Sequence, residues 1–509
     1  MGAERALVHG RIRTMAGPDD VADWMLLDGG SVVRIGSGAG PEVEGAETID
    51  FTGRTVLPAL HDAHVHLLST GFMRMTVDLA PAESMDELFS ILADAVRGFE
   101  GELLRAHTFD PDLLPDGRYP TAADLDAISR EIPIYVKRRD GHSSIANTPA
   151  MELLDVPADT PGLEEEGGTP TGVFRGKAHS IAANRSGELW SDEARVRAYK
   201  EAARLAASRG VGIVHSLVGA TDPGDRYRDI ELLVETASDL DVDVVVYPQT
   251  LDIDRVAGLG LPRIGGCILL DGSFSSSTAA LDEPYVDGGG LGNLYFEDDK
   301  LTGFMRRAHE RGLQIAVHAL GERAISQAVR CYKKACGKEA ADARHRIEHC
   351  ELPRPGHLAD IVRTGISVCV QPTFEYLWGG EGGMYEKRLG AERAGRSNPF
   401  RTMLEAGVRL AGGSDSYVTP LDSLLGIHSA VNRPNRSERL SVYDAVSLFT
   451  SGAARFSFDE ARRGTLEAGK EASFVVLADD PFEVDPLTIK DIRVESLYRR
   501  GERVDVESS

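Results

Sequence analysis

The sequence predicts an α/β fold: a closed barrel of eight parallel strand–helix units with a small β domain drawn from both chain ends. Three observations carry this. The middle of the chain alternates short apolar strands with helical segments, the pattern of parallel strands joined by crossover helices. Both ends are rich in strands and glycine turns. One connection, from about 72 to 205, is too long for a single strand-to-helix link and reads as an insertion.

At the N-terminal end, Ala6–Ile12, Trp24–Leu27 and Ser31–Ile35 read as strands, the last two joined by an Asp28-Gly29-Gly30 hairpin signal. Glu47–Asp50 and Arg54–Leu57 continue the pattern. At the other end, Ala472–Leu477 and Val494–Tyr498 are strands, with a turn at Arg500-Gly501-Glu502. We expect residues 1–57 and 464–509 to pair as a β-sandwich domain, leaving 58–463 for the barrel.

Barrel strands are expected near 56–61, 212–217, 243–248, 267–271, 314–319, 345–349, 366–371 and 408–413. Ala324–Cys336 and Leu358–Arg363 are two of the intervening helices. The long connection after the first strand carries its own strand, Ile134–Lys137, and its own helices. It is expected to be an α/β insertion over the barrel mouth.

Bulk properties narrow the function. The chain has 509 residues, 42% hydrophobic and 27% charged, enough for a large core. A net charge of −24 without a basic cluster argues against nucleic acid and anionic membranes as partners. Five cysteines, odd in number and without CxxC spacing, argue against a disulfide framework and for a reducing cytoplasm. No basic stretch followed by an apolar core opens the chain, and no apolar run approaches the roughly 18 residues that span a bilayer. A small molecule is the expected partner, and a homodimer is kept open.

Chemistry enters at Leu60-His61-Asp62-Ala63-His64-Val65-His66. Side chains alternate faces along a strand, so His64 and His66 point the same way and can grip one ion. A lone pair of this kind also arises by chance. Further donors then fall at the same ends of later strands. His318 ends the fifth, Glu348-His349 the sixth, and the eighth runs into Gly413-Ser414-Asp415-Ser416. Singly, His318 or His349 could be a core or capping histidine, and Asp415 a helix N-cap. Together, four imidazoles and a carboxylate at the carboxyl face of one barrel suit zinc or a similar divalent ion.

The chain resembles the amidohydrolase superfamily over nearly its whole length, and within it the YtcJ-like branch that includes N-substituted formamide deformylases. The marks are Thr55-Val56-Leu57-Pro58 before the HxH pair, Arg139-Asp140-Gly141-His142, Asp271-Gly272-Ser273 with Thr278-Ala279, Val317-His318-Ala319, Arg344-His345-Arg346-Ile347-Glu348-His349, Gln371-Pro372 and Gly413-Ser414-Asp415-Ser416. The resemblance implies a metal-dependent hydrolase on a TIM barrel. It implies one or two divalent ions, zinc first, with manganese or iron as alternatives. In the family's binuclear layout His64, His66 and Asp415 hold one ion, and His318 and His349 the other.

One departure bears on that layout. The family usually has a lysine four residues before the Asp-Gly of the fourth strand, and here that position is Cys267. No lysine occurs between Lys200 and Lys300 to replace it. A thiolate is a good zinc ligand, and the similar D-aminoacylase branch uses a cysteine at its metal centre. The alternative is a small buried apolar residue. Ala59, His61 and Ser473 also depart from the family pattern, and none is assigned a role.

The resemblance makes Asp415 the proton carrier and gives His142 the substrate carbonyl or a developing oxyanion. Arg139, Phe109, Gln371 and Tyr376 are its further pocket candidates, with Asp110 beside them, and the polar run Ser273–Thr278 borders the pocket. The expected reaction is hydrolysis of a non-peptide C–N bond in an amide or formamide. A heterocycle deaminase or cyclic amidase is one alternative. Superfamily deaminases usually place a glutamate three residues after the fifth-strand histidine, whereas Glu322 is four after His318. A lyase, an isomerase or a catalytically altered binder is the other alternative, raised by Cys267.

Overall fold

Eight strands provide the frame for the site: β1 (Leu60–Val65), β2 (Val211–Val218), β3 (Asp243–Pro248), β4 (Arg263–Ile264), β5 (Gln314–Ala319), β6 (Arg346–His349), β7 (Ser367–Val370) and β8 (Arg409–Gly412). They belong to a computed structural model that describes residues 5–111, 114–115, 117–139, 143–219, 227–337 and 340–505. The strands pair in parallel in two runs, β3-β2-β1 and β4-β5-β6-β7-β8. The runs meet at both edges. Gly265 N–H donates to the Pro248 carbonyl at 2.8 Å, and Asp415 N–H donates to the His64 carbonyl at 2.8 Å. Residues of β1, β2, β5, β6 and β7 are buried throughout, as expected of parallel strands covered on both faces. Helices such as Asp298–Glu310, Glu322–Cys336 and Pro355–Thr364 alternate with them, giving an α/β, TIM-barrel-like fold.

The fourth strand departs from the expected 267–271. Regular pairing is confined to Arg263 and Ile264. Gly265 and Gly266 then adopt φ of 103° and 84°. A Cβ at Gly265 would lie 2.1 Å from the Ala316 carbonyl oxygen, and one at Gly266 2.7 Å from Leu217 Cγ. Glycine lets the chain swerve where no other residue fits. It rejoins β5 two residues later, His318 N–H donating to the Ile268 carbonyl and Leu270 N–H to the His318 carbonyl, each at 3.0 Å. Cys267 sits on this detour.

The expected 56–61 strand divides at Ala59, and Thr55–Leu57 lies with the terminal strands, where Arg54–Leu57 was also expected. It ends a longer strand, Glu47–Pro58, that pairs antiparallel with Phe474–Leu477 and parallel with Arg5–Arg13. After Ala59 the chain passes into β1, whose Leu60 N–H donates to the Gly210 carbonyl at 3.1 Å.

Strands from both chain ends form one seven-stranded sheet. Its order is Glu502–Arg503, Val494–Arg499, Phe474–Leu477, Glu47–Pro58, Arg5–Arg13, Val21–Asp28, Ser31–Gly36. Two facing sheets were expected, and the hydrogen bonding is instead continuous. The sheet curls so that its last strand returns to the chain ahead of Phe474, with Val32 N–H donating to the Lys470 carbonyl at 2.8 Å. Val8, Ile12, Met25, Val56, Phe474 and Val476 pack inside the curl.

The chain divides into two compact units, Met1–Leu67 with Ala202–Ser509, and Leu68–Glu201. The second unit carries its own strands and helices. Its six-stranded mixed sheet runs Leu163–Glu166, Thr169–Arg175, Ser143–Ala146, Ile134–Arg138, Leu104–Phe109, Val77–Asp78. Among the described residues no helix is long and apolar enough to cross a membrane.

Candidate metal centre

The carboxyl ends of β1, β6 and β8, with the β4 detour, bring five donor side chains together. The ligand atoms of His64, His66 and Asp415 all lie within 4.8 Å of one another, as do those of His64, Cys267 and His349. His64 belongs to both triads. His318 joins through Cys267, its Nδ1 lying 3.6 Å from Sγ. All six candidate ligands expected from the sequence are therefore in one cluster.

Local backbone geometry aims these groups. His349 and Asp415 adopt φ of 71° and 56° where their strands end. Such conformations cost non-glycine residues on the order of 1–3 kcal/mol and cluster at functional sites. Gly413 packs directly on β1, since a Cβ there would lie 2.6 Å from His64 Cβ.

The second ring nitrogens define which atoms face inward. His64 Nδ1 donates to Glu348 Oε2 at 2.7 Å, because a carboxylate can only accept. His349 Nδ1 donates to Gln371 Oε1 at 2.7 Å. Both therefore present Nε2 to the cluster. His318 is reversed. Its Nε2 donates to the Gly272 carbonyl at 3.2 Å, leaving Nδ1 to face the Cys267 sulfur.

Several inward atoms face only one another. His64 Nε2, His349 Nε2 and Asp415 Oδ1 are buried with no hydrogen bond outside the donor cluster. His64 Nε2 lies 3.1 Å from Asp415 Oδ1, and His66 Nε2 lies 3.2 Å from the same oxygen. Orphaned buried polar atoms are costly. A divalent cation accepts donors of this chemistry, soft thiolate and imidazole with one carboxylate, so the residues fit a metal.

The donors hold each other in opposite charge states. Burial pushes the Asp415 carboxyl up, but His64 and His66 outweigh it and hold it well below the usual range. Burial likewise raises the Cys267 thiol, and the imidazoles of His318, His349 and His64 overcome that, keeping it well below its ordinary value. Burial opposes the charged form of His66 and of His318. Asp415 raises the former to about 9, and Cys267 raises the latter to about 9. Thiolate and carboxylate are the ligating forms.

Two nearby groupings of donors are not metal sites. Glu348 and Cys369 lie within reach of His64, but both Glu348 oxygens bind Arg346, at 2.6 and 2.7 Å. At the amino end of the strands, His309, Cys336 and His345 converge. There His345 Nδ1 accepts from Ile315 N–H at 3.0 Å, so Nε2 carries the proton, which it donates to His309 Nδ1 at 3.1 Å. That nitrogen has no lone pair for a metal.

The other expected site residues have varied placements. Gln371 is buried, and its Oε1 is spent on His349, so it positions a histidine. Tyr376 lies on the helix Pro372–Trp378, half exposed, its ring 5.5 Å from His428. Phe109 belongs to the hydrophobic core of the insertion unit and packs edge-on against Tyr119. It also lines a small cavity with Leu79, Thr108, Asp110 and Arg139. Arg139 lies in the same unit, its side chain exposed and 3.9 Å from Asp110. His142 lies outside the described residues. Ser273, Ser276 and Thr278 hydrogen-bond to one another in the loop after β4.

Sequence reasoning missed three supports. Glu348 and Arg346 anchor His64. Asp271 accepts from Ala280, Leu320 and Gly321 N–H at 2.8, 3.0 and 3.0 Å, tying the loops after β4 and β5 together. The available signal was Arg346 and Glu348 at i and i+2 on the strand that ends in His349.

Comparison with known proteins agrees with this geometry. The family model described as "Amidohydrolase family" matches residues 47–505. The chain is 30% identical to Protein LONG AFTER FAR-RED 3 of Arabidopsis thaliana, covering 94% of this chain and 88% of that one. It is 27% identical to YtcJ of Bacillus subtilis, over 95% of each. It is 25% identical to N-substituted formamide deformylase of Arthrobacter pascens, over 97% of each. A solved structure of an uncharacterized metal-dependent hydrolase from Pyrococcus furiosus aligns with a TM-score of 0.81 at 27% identity, covering 94% of this chain and all of that one. The chain belongs to the amidohydrolase family, in its YtcJ-like branch, and is a hydrolase whose clustered donors suit a divalent metal.

Proposed function

We propose that this chain is a zinc-dependent hydrolase of a non-peptide C–N bond in a small amide, with N-substituted formamides as the leading substrate class. The observation that carries the reading is the double triad centred on His64, with its orphaned inward nitrogens. His64, His66 and Asp415 would hold one ion, and Cys267, His318 and His349 a second. The thiolate and imidazoles favour zinc over harder ions. A metal in this cradle supplies Lewis-acid polarisation and lowers the pKa of water to about 7.

The chain's own groups do the rest. Asp415 takes a proton from the attacking water and gives it to the leaving amine. Glu348 and Gln371 orient the histidines. Tyr376 borders the pocket. The reading takes the eight parallel strands as one closed barrel, residues 58–463, with 1–57 and 464–509 as a separate β domain. The formamide class comes from the 25% identical deformylase.

The test is a screen of zinc- and manganese-loaded protein against formamides, acylated amines, cyclic amides and amino-substituted heterocycles. Release of amine and formate from a formamide, lost in Asp415→Asn, is the expected result. A metal-loaded chain that hydrolyses none of these C–N bonds overturns the proposal.

A further inference from the structure

We propose that Glu348 is a positioning residue that makes His64 a stronger neutral donor than His318 or His349, with Arg346 holding the carboxylate in place. This rests on the metal reading above and adds a device for tuning it.

The geometry is fully specified. Arg346 Nε donates to Glu348 Oε1 at 2.6 Å, and Nη2 donates to Oε2 at 2.7 Å. The same Oε2 accepts from His64 Nδ1 at 2.7 Å. Arg346 Nη2 also donates to the carbonyl of Ala63 at 2.8 Å, so one guanidinium steadies both the ring partner of His64 and the backbone just before it. Both side chains of the ion pair are 0% exposed.

Stability alone is a poor reason for such a pair. Burying two charges costs about as much as their attraction returns, and apolar replacements of equal shape are often as stable or more so. The pair's distinguishing property is the third bond, to His64. His349 and His318 rest their second nitrogens on neutral acceptors, the Gln371 amide and the Gly272 carbonyl. His64 rests on an anion. A carboxylate on Nδ1–H fixes the tautomer and raises the basicity of Nε2, which strengthens it as a ligand. His64 is also shared between the two donor triads. Its one inward lone pair, on Nε2, lies within reach of both groups and binds a single ion.

The test compares wild type, Glu348→Gln and the double variant Arg346→Met/Glu348→Gln, each loaded with cobalt(II). Glutamine keeps the shape and the acceptor oxygen but removes the charge. The double variant removes both charges, so no lone buried guanidinium unfolds the protein. Cobalt affinity is read by competition with a chelator, ligand field by visible absorption, and stability by melting of the metal-free chains. We expect cobalt binding weaker by about 10–100-fold in both variants, the range for losing an outer-shell partner of a ligand. The visible bands should shift, and the metal-free double variant should melt at or above wild type. Wild-type affinity and spectrum in the double variant would overturn the inference and leave Glu348 a purely structural residue. If Glu348→Gln does not fold, the double variant decides alone. Failure of the wild-type chain to bind cobalt overturns the metal reading and this inference with it.

Discussion

Nδ1 of His318 faces the sulfur of Cys267 across 3.6 Å, while its Nε2 donates to the Gly272 carbonyl. The sulfur takes the place that family resemblance assigns to a lysine, and it needs no further chemistry to ligate. Cys267→Ala should lower metal per chain, measured by elemental analysis, and lower turnover with it. Unchanged stoichiometry and unchanged activity would remove Cys267 from the centre.

Asp415 Oδ1 stands about equally far from His64 Nε2 and His66 Nε2, at 3.1 and 3.2 Å. Asp415→Asn keeps the size but not the charge or the proton acceptor. Turnover should fall by about 10²–10⁴-fold, the usual worth of a general base, with the far-ultraviolet dichroism unchanged. A near-normal rate would sink the proton-carrier role.

Gly413→Ala tests the support of the HxH strand. The added methyl would sit 2.6 Å from His64 N and Cβ, inside contact distance. Overpacking of this kind costs about 1–3 kcal/mol, and here it displaces a ligand. Metal affinity should drop more than it does for Gly258→Ala, where a Cβ meets nothing within 4 Å. Equal affinities would show that the β8–β1 approach does not set the ligand position.

Chelation should destabilise the protein. Metal that binds only the folded chain stabilises it by about 2.7 kcal/mol at a free concentration a hundred times Kd. Melting temperature should fall on treatment with a chelator, recover with zinc, and be insensitive to both in His64→Ala/Asp415→Ala. A wild-type melting temperature unmoved by chelator would argue against a bound ion.

His345 gives an acid sensitivity unrelated to the metal. Burial, with His309 adding to it, pushes this imidazole down to about 3, while an unfolded chain has it near 6.5. Below pH 6.5 the unfolded state takes up a proton that the folded state refuses. The stability His345 contributes is thus complete above pH 6.5 and lost as pH falls toward 3, at up to about 1.4 kcal/mol per unit. His345→Gln cannot titrate, so its melting temperature should fall less steeply from pH 7 to 5. Parallel slopes would rule this out.

Much of the centre was legible because strands place their last residues at one rim. His64, His66, His318, His349 and Asp415 could be found by counting strands. Three things were not legible. The division of the 56–61 strand at Ala59 shows only once the partner of Thr55–Leu57, Phe474–Leu477, is known, and that pairing spans most of the chain. Cys267 was read as part of a regular strand, whereas Gly265 and Gly266 turn it off the ladder toward His318. Glu348 stood in a quoted motif without a role, because its ligand-orienting bond depends on ring closure bringing β6 opposite β1.

The curled sheet has a consequence for synthesis. Glu47–Pro58 leads within two residues into the strand that carries His64 and His66, and its antiparallel partner begins at Phe474. The ribosome must read roughly 400 residues between them, about 20–80 s at roughly 5–20 residues per second. Throughout that interval the leading edge of the site has no partner strand on this side. Of the two triads, the one with Cys267 and His349 is complete in the chain before the one that waits for Asp415. Loss of Phe474–Leu477 would reach the first ligands, His64 and His66, through a single strand.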